Sequence, residues 1–288
     1  MDERIRRRAW GLAKEVRNRL PRGDRQPSRA LFVLGCQRSG TTILVDTLDK
    51  DGRVKTFGEF SGVNRPAAGR RPWSVRSQSR YSIRLKPLGE VAAKIERSPH
   101  PLVVLKPLVE SQKAPSILRE IDRAVCVWVF RHYRDVARSN VKLFSPEVAR
   151  YNLEPIVREQ SDSWRAELVP EDVRELVVRH YSPDMNPFDG AALFWYARNR
   201  LFFDLGLTRE ERVMLLKYED LAADPELSLR RLYRHAGIAF PGPRIAEGIH
   251  PSSIGLGREL ELSPEIERAC EELWSELNVA YESRLAVT

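Results

Sequence analysis

The sequence predicts a three-layer α/β/α fold, in which one central parallel sheet carries helices on both faces and helical insertions in its second half. Three observations predict it. Short unbroken apolar runs, such as Leu31-Phe32-Val33-Leu34 and Val125-Cys126-Val127-Trp128-Val129-Phe130, alternate with stretches of helical periodicity, and that alternation is the pattern of parallel strands buried on both sides. The first run ends at Gly35 and the helical pattern resumes after Gly40-Thr41-Thr42, a strand-turn-helix order. At 288 residues the chain is long enough to bury such a core.

The elements follow in order. Residues 3–20 place Ile5, Leu12, Val16 and Leu20 on one helical face with Trp10 and many basic residues around the rest. Such a helix docks on the domain, frays as a basic tail, or rests on anionic lipid as a peripheral contact. Pro21-Arg22-Gly23-Asp24 ends it, so residues 1–27 are expected as a basic N-terminal helix or tail and 28–288 as one domain. Val54-Lys55-Thr56-Phe57 reads as a short strand with Gly58-Glu59-Phe60 at its carboxyl end, the end at which open α/β sheets gather ligands. Asn64 to Lys86 holds six arginines and a lysine with no acidic residue, and is expected as a loop or lid facing an anion, or as a solvated basic loop. Leu88–Ser98 reads as helix and Pro101–Lys106 as strand, and Ser111 is expected to cap a helix reaching Ile121. From Pro146 to Leu207 the pattern is helical and insert-like, its aromatic stretch after Asp189-Gly190 expected as core. Arg212–Lys217 is the last strand. Asp224-Pro225 opens the next helix and Ser263-Pro264-Glu265 the closing one.

The chemistry starts at Gly35-Cys36-Gln37-Arg38-Ser39-Gly40-Thr41-Thr42. Glycines let backbone N–H groups curl around an anion, and the following helix aims its unpaired donors and positive dipole end at the same point. The glycine spacing is that of a Walker loop, but Thr41 stands where a nucleotide triphosphatase has lysine, and the cation sits earlier, at Arg38. That arrangement cradles a single 5′ anion and leaves no obvious group for a γ-phosphate. A P-loop ATP-dependent kinase with a drifted loop is the rival enzyme class, and a nucleotide-binding module without catalysis is the rival outside enzymes.

Arg38-Ser39-Gly40-Thr41-Thr42 resembles the 5′-phosphosulfate loop of the sulfotransferases that use 3′-phosphoadenosine 5′-phosphosulfate (PAPS) and release PAP. Arg131-His132-Tyr133-Arg134-Asp135-Val136-Ala137-Arg138-Ser139 resembles the same family's 3′-phosphate motif, an arginine at a strand end and a serine eight residues on. His132 stands where the family often has Asn. Arg134 and Arg138 are read instead as a solvated helix face. Tyr218-Glu219-Asp220-Leu221 also resembles a family segment, which implies Tyr218 near the adenosine, and Ser252–Arg258 looks like a weaker version of the loop that closes over the 3′-phosphate, which implies a contact from Arg258. Lys106 ends a strand resembling the one that carries a catalytic lysine in the small-molecule branch, but Pro107-Leu108 follow and that branch's histidine is absent. Glu59 then resembles the glutamate base of the carbohydrate sulfotransferases, with Glu110 the acidic alternative. The resemblance implies catalytic roles for Glu59, Lys106 and Arg38, cofactor contacts from Arg38, Ser39, Gly40, Thr41, Thr42, Arg131, Ser139, Tyr218 and Arg258, and no metal. Its acceptor is expected to be a hydroxyl of a glycan or glycolipid, or else of a small natural product.

Composition bears on partners. The net charge of +8 comes mostly from arginine, 39 of the 48 basic residues, which suits an anionic ligand. Without zinc-ligand spacing, a basic zipper or an RNA-stacking signature, nucleic acid is not expected as a partner. Three scattered cysteines do not read as a disulfide framework or a metal site, and Cys36 reads as a small side chain filling a tight turn. A charged N-terminus and the absence of a long apolar run give a cytoplasmic expectation, with a peripheral contact at the inner membrane face through residues 3–20.

Overall fold

The computed structural model describes residues 27–58, 63–66 and 83–286, together with Trp10 and Ala13. Its strands are β1 (Arg29–Gly35), β2 (Val54–Phe57), β3 (Asn64–Pro66), β4 (Ile83–Leu85), β5 (Leu102–Leu105), β6 (Ala124–Phe130) and β7 (Val213–Lys217). Five of them form one all-parallel sheet in the order β2-β5-β1-β6-β7. The first strand is central because it is the most apolar on both faces, and Ala30 to Leu34 are fully buried. β3 and β4 pair antiparallel, so the stretch expected as an unstructured basic loop has a two-stranded base.

Alternation along β1 and β6 sends side chains to two cores. Phe32, Leu34, Cys126, Trp128 and Phe130 face one; Leu31, Val33, Val127 and Val129 face the other. On the second face lie α1 (Thr41–Leu48) and, further along the chain, α8 (Tyr218–Ala223) and α9 (Pro225–His235). The first face is covered by α2 (Leu88–Glu96), α3 (Ala114–Glu120), α4 (Tyr133–Phe144), the inserted helices α5 (Glu147–Val157), α6 (Glu171–His180) and α7 (Pro187–Asp204), and the closing α10 (Pro264–Leu285). Asn186 caps α7 by accepting from the Phe188 amide at 2.9 Å, and Pro187 takes the first turn, so the helix begins before the Asp189-Gly190 pair.

The carboxyl end of β6 is held from behind by α7 at two points. Trp195 Nε1 donates to the Arg131 carbonyl at 2.9 Å, and Trp128 Nε1 donates to Asn199 Oδ1 at 3.2 Å. The helix expected over residues 3–20 lies outside the described residues apart from Trp10 and Ala13; Trp10 Nε1 donates to the Asp49 carbonyl at 3.3 Å. Among the described residues no helix is long and apolar enough to cross a membrane.

Candidate active site

The loop from Gly35 to Gly40 turns the chain from β1 into α1. Gly40, the residue before the helix, has φ 93°, and a Cβ there would lie 2.7 Å from Tyr218 Cε2, so only glycine fits. Arg38 also takes a left-handed conformation, with φ 66°, at a cost on the order of 1–2 kcal/mol for a residue with a side chain. Such strain is held where the surroundings over-determine it. Here Arg38 Nε donates to Ser139 Oγ at 3.1 Å, which joins the loop to α4 across the sheet ends. Among the described residues the α1 N-terminus has no side-chain cap, and the buried Ser39 hydroxyl beside it has no hydrogen-bond partner. Unpaired donors at a helix start and an unpaired hydroxyl are what an anion would satisfy.

Ser111 holds the loop's first residue. It was expected to cap a helix, but residues Leu108–Lys113 form a 3-10 turn, and its buried hydroxyl instead accepts from the Gly35 amide at 3.1 Å and donates to the Leu108 carbonyl at 2.9 Å. Cys36 fills the turn as expected. Burial pushes its thiol up to about 12, so it stays protonated at neutral pH.

At the end of β6, Arg131 is 6% exposed. Its guanidinium lies 4.4 Å from the Tyr218 ring centroid, donates to the Ser253 carbonyl and approaches Asp135 at 3.4 Å, while its Nε is buried without a partner among the described residues. Asp135 accepts from the Gly255 and Gly257 amides at 2.8 and 2.7 Å, which straps the late loop onto the start of α4. A Cβ on Gly257 would lie 2.8 Å from the Asp135 amide nitrogen and closer still to the Arg134 carbonyl. Tyr218 Oη and Ser253 Oγ are 2.6 Å apart. Arg134, expected on a solvated face, is bound to the Leu260 carbonyl and Glu267, because α10 packs there. His132 caps α4 through Nδ1, which accepts from the Arg134 amide at 3.3 Å; burial lowers its pKa. Glu219 Oε1 accepts from the His132 amide at 3.0 Å, and desolvation raises its carboxyl pKa. With Arg134, Asp135, Ile254, Gly255 and the exposed Arg258, these two line a cavity of ≈ 130 Å³.

A second cavity of ≈ 130 Å³ opens against the phosphate loop, lined by Gln37, Arg38, Thr41 and Thr42, by Lys106 at the end of β5, and by Leu108, Val109, Phe144, Trp164, Phe194 and Arg198. Lys106 Nζ donates to Thr42 Oγ1 at 2.6 Å. Phe194 comes from the aromatic stretch expected as core; Trp195 and Phe202 of that stretch are core, Tyr196 and Phe203 are half-buried against it, and the Phe194 ring is also cavity wall. Glu110 is fully buried in ion pairs with Arg84 (3.0 Å) and Lys113 (3.1 Å) and accepts from the Leu85 amide at 3.2 Å, which leaves it no surface for an acceptor. Glu59 lies outside the described residues.

Thus Arg38, Thr41, Thr42 and Lys106 share one cavity with Ser39 and Gly40 in the adjoining turn, Ser139 is tied in by Arg38, and Arg131 and Tyr218 stack at the next strand end. Arg258 sits apart, in the other cavity. Sequence reasoning missed Asp135, Ser111 and Arg198. Only Asp135 had a local signal, a carboxylate in the first turn of a helix that follows a strand-end arginine.

A family model described as a sulfotransferase family matches residues 30–242. The solved sulfotransferase domain of the Synechococcus PCC 7002 olefin synthase is 17% identical, covering 90% of this chain and 98% of its own, with a TM-score of 0.51, a likeness of fold. A sulfotransferase domain from the curacin biosynthetic pathway is 18% identical (87% and 98% covered, TM-score 0.47), and a mouse sulfotransferase solved with PAP is 12% identical (89% and 88% covered, TM-score 0.46). No curated protein matches the chain.

Proposed function

This chain belongs to the sulfotransferase family, and on that premise we propose that it moves a sulfuryl group from PAPS to a hydroxyl of a carbohydrate or glycoconjugate and releases PAP. The observation that carries the reading is the Arg38–Ser139 hydrogen bond. It puts two anion-binding motifs within one side chain's reach, which matches a nucleotide with anions on both its 5′ and 3′ oxygens. ATP carries all its phosphates on the 5′ side.

The residues fit such a ligand. Ser39 Oγ and Arg131 Nε are buried polar atoms that lack a partner among the described residues, one in each motif. The turn at Gly40 leaves room where a Cβ would collide with Tyr218. Arg38, Ser39 and the amides of Gly40, Thr41 and Thr42 would hold the 5′-phosphosulfate; Arg131, Ser139 and Arg258 would hold the 3′-phosphate, with Tyr218 at the nucleoside. Bound PAPS supplies the sulfuryl group and an anionic leaving phosphate. Arg38 and Lys106 lie on the shared cavity where that negative charge grows, and preorganised donors at developing charge are often the largest catalytic contribution. Glu59, two positions after β2 in the sequence, is our assignment for the base that takes the acceptor's proton.

The cavity walls favour a second reading of the acceptor. Leu108, Val109, Phe144, Trp164 and Phe194 offer mainly apolar and aromatic surface, which suits a small natural-product alcohol as well as the C–H face of a sugar. We place the reaction in the cytoplasm, with residues 3–20 as a peripheral contact on the inner membrane face.

Isothermal titration with PAP in EDTA, with ATP alongside, tests the cofactor class. Tight PAP and weak ATP binding are expected. The reverse preference, or a need for Mg²⁺, would return the loop to the kinases. PAP binding with no turnover of PAPS on any hydroxyl acceptor would mark a non-catalytic nucleotide-binding module instead.

A further inference from the structure

Arg198 is 1% exposed and lines the cavity that also holds Lys106 and the phosphate loop. Its two hydrogen bonds go to neutral oxygens: Nη1 to the Trp164 carbonyl at 3.1 Å and Nη2 to Gln112 Oε1 at 3.0 Å. The nearby carboxylates are already matched, since Arg84 pairs with both Glu110 and Glu167, and Lys113 also pairs with Glu110. Among the described residues Arg198 is thus a surplus cation. A second buried guanidinium, that of Arg165, flanks the same Trp164 ring, with centroid distances of 4.5 Å for Arg165 and 5.1 Å for Arg198. Burial drives the Arg198 pKa down to about 10, the charges of Glu110 and Glu167 offsetting only part of the desolvation, so it remains charged at neutral pH. A buried charge whose hydrogen-bond partners among the described residues are all neutral, set in the wall of a cavity, is a place for a counter-ion.

We propose that Arg198 forms an anion subsite of the acceptor cavity, so that the acceptor hydroxyl is carried by a molecule that also bears a carboxylate. The inference rests on the acceptor cavity of the reading above and narrows its substrate class. The apolar walls hold the acceptor's ring or chain, Arg198 takes its carboxylate as a planar fork, and the hydroxyl is left toward Lys106 and Thr42. The carboxylate has two natural sources, a uronic acid or an aryl-alkyl acid.

The test uses protein saturated with PAP, so that the phosphate loop and the 3′ motif are filled. Two matched pairs are titrated by ligand-observed NMR: methyl glucuronoside against methyl glucoside, and 3-phenylpropionate against 3-phenylpropionamide. At least one carboxylate should bind about tenfold or more tightly than its neutral partner, as a charged hydrogen bond implies. The responding pair identifies the source. Arg198→Met should abolish the preference while PAP affinity is retained. In the wild-type protein the Arg198 Nε–H resonance should move with that carboxylate and stay put with the neutral compound, a readout that does not depend on the variant folding. Equal affinity within both pairs, an unmoved Arg198 resonance, or a preference that survives in folded Arg198→Met would overturn the proposal. Failure of PAP itself to bind would instead overturn the cofactor assignment.

Discussion

Replacing Asp135 with Asn tests whether one carboxylate sets both the late loop and Arg131. In the wild type that side chain is 3% exposed, accepts from the Gly255 and Gly257 amides at 2.8 and 2.7 Å, and lies 3.4 Å from Arg131 Nη2. Asparagine keeps the shape but turns one acceptor into an NH₂ group facing a backbone N–H, makes the other bond neutral, and leaves Arg131 with less compensating charge. A lost charged hydrogen bond is worth roughly 1.5–3 kcal/mol, and breaking a buried pair about 3–5 kcal/mol. The ion pair here is long, so the sum should stay near 3 kcal/mol. Urea unfolding followed by far-UV circular dichroism should show the midpoint falling with an unchanged slope. Titration with PAP should show about tenfold weaker binding, because the loop that carries Ser253 and Arg258 loses its strap. A stability within about 0.5 kcal/mol of wild type, the range of ordinary surface substitutions, would refute the strap. Tighter PAP binding would mean that Asp135 competes with the ligand for Arg131.

Gly40→Ala should cost at least about 1–2 kcal/mol from its left-handed backbone alone, with added strain against Tyr218, read from urea midpoints; an unchanged midpoint would show that the loop adapts freely. His132 and His235 have pKa values lowered by burial, so the unfolded chain takes up protons first as pH drops. Stability should therefore be full above about pH 6.5 and fall as pH drops through the folded values, and His132→Asn, which can still cap α4, should flatten part of that slope. Glu59→Gln should leave PAP affinity near normal and cut turnover at least about a hundredfold; unchanged turnover removes Glu59 as the base. Lys106→Met should likewise lower kcat by about a hundredfold or more, and an effect confined to KM would reassign Lys106 to binding.

The strands and the loop were legible because their signals are local. β1 and β6 are unbroken apolar runs, and Gly35 to Thr42 combines a turn residue, a cation and a helix start within eight positions. What escaped depends on contacts distant in the chain. Ser111 has the composition of a cap, but the Gly35 backbone, 76 positions away, claims its hydroxyl. Arg134 looks like surface until α10 covers it. Arg198 is one of 39 arginines, and nothing near it in sequence marks it as buried. The antiparallel pair of β3 and β4 is only three residues a side, shorter than the run over which alternation marks a strand.

Helix α7 reads as two adjacent stripes. Phe194 and Arg198, one turn apart, face the cavity proposed for the acceptor, whereas Trp195 and Asn199, the next pair round, brace Arg131 and Trp128 at the end of β6 proposed for the nucleotide. Acceptor preference can drift by point substitution on the first stripe while the second keeps the nucleotide end in place. A single-residue insertion in the helix upstream would turn both stripes by about 100° and misalign them together. Diversification of this chain is therefore open to side-chain exchange and closed to length change along α7, so variants with altered acceptors should differ at 194 and 198 within a helix of constant register.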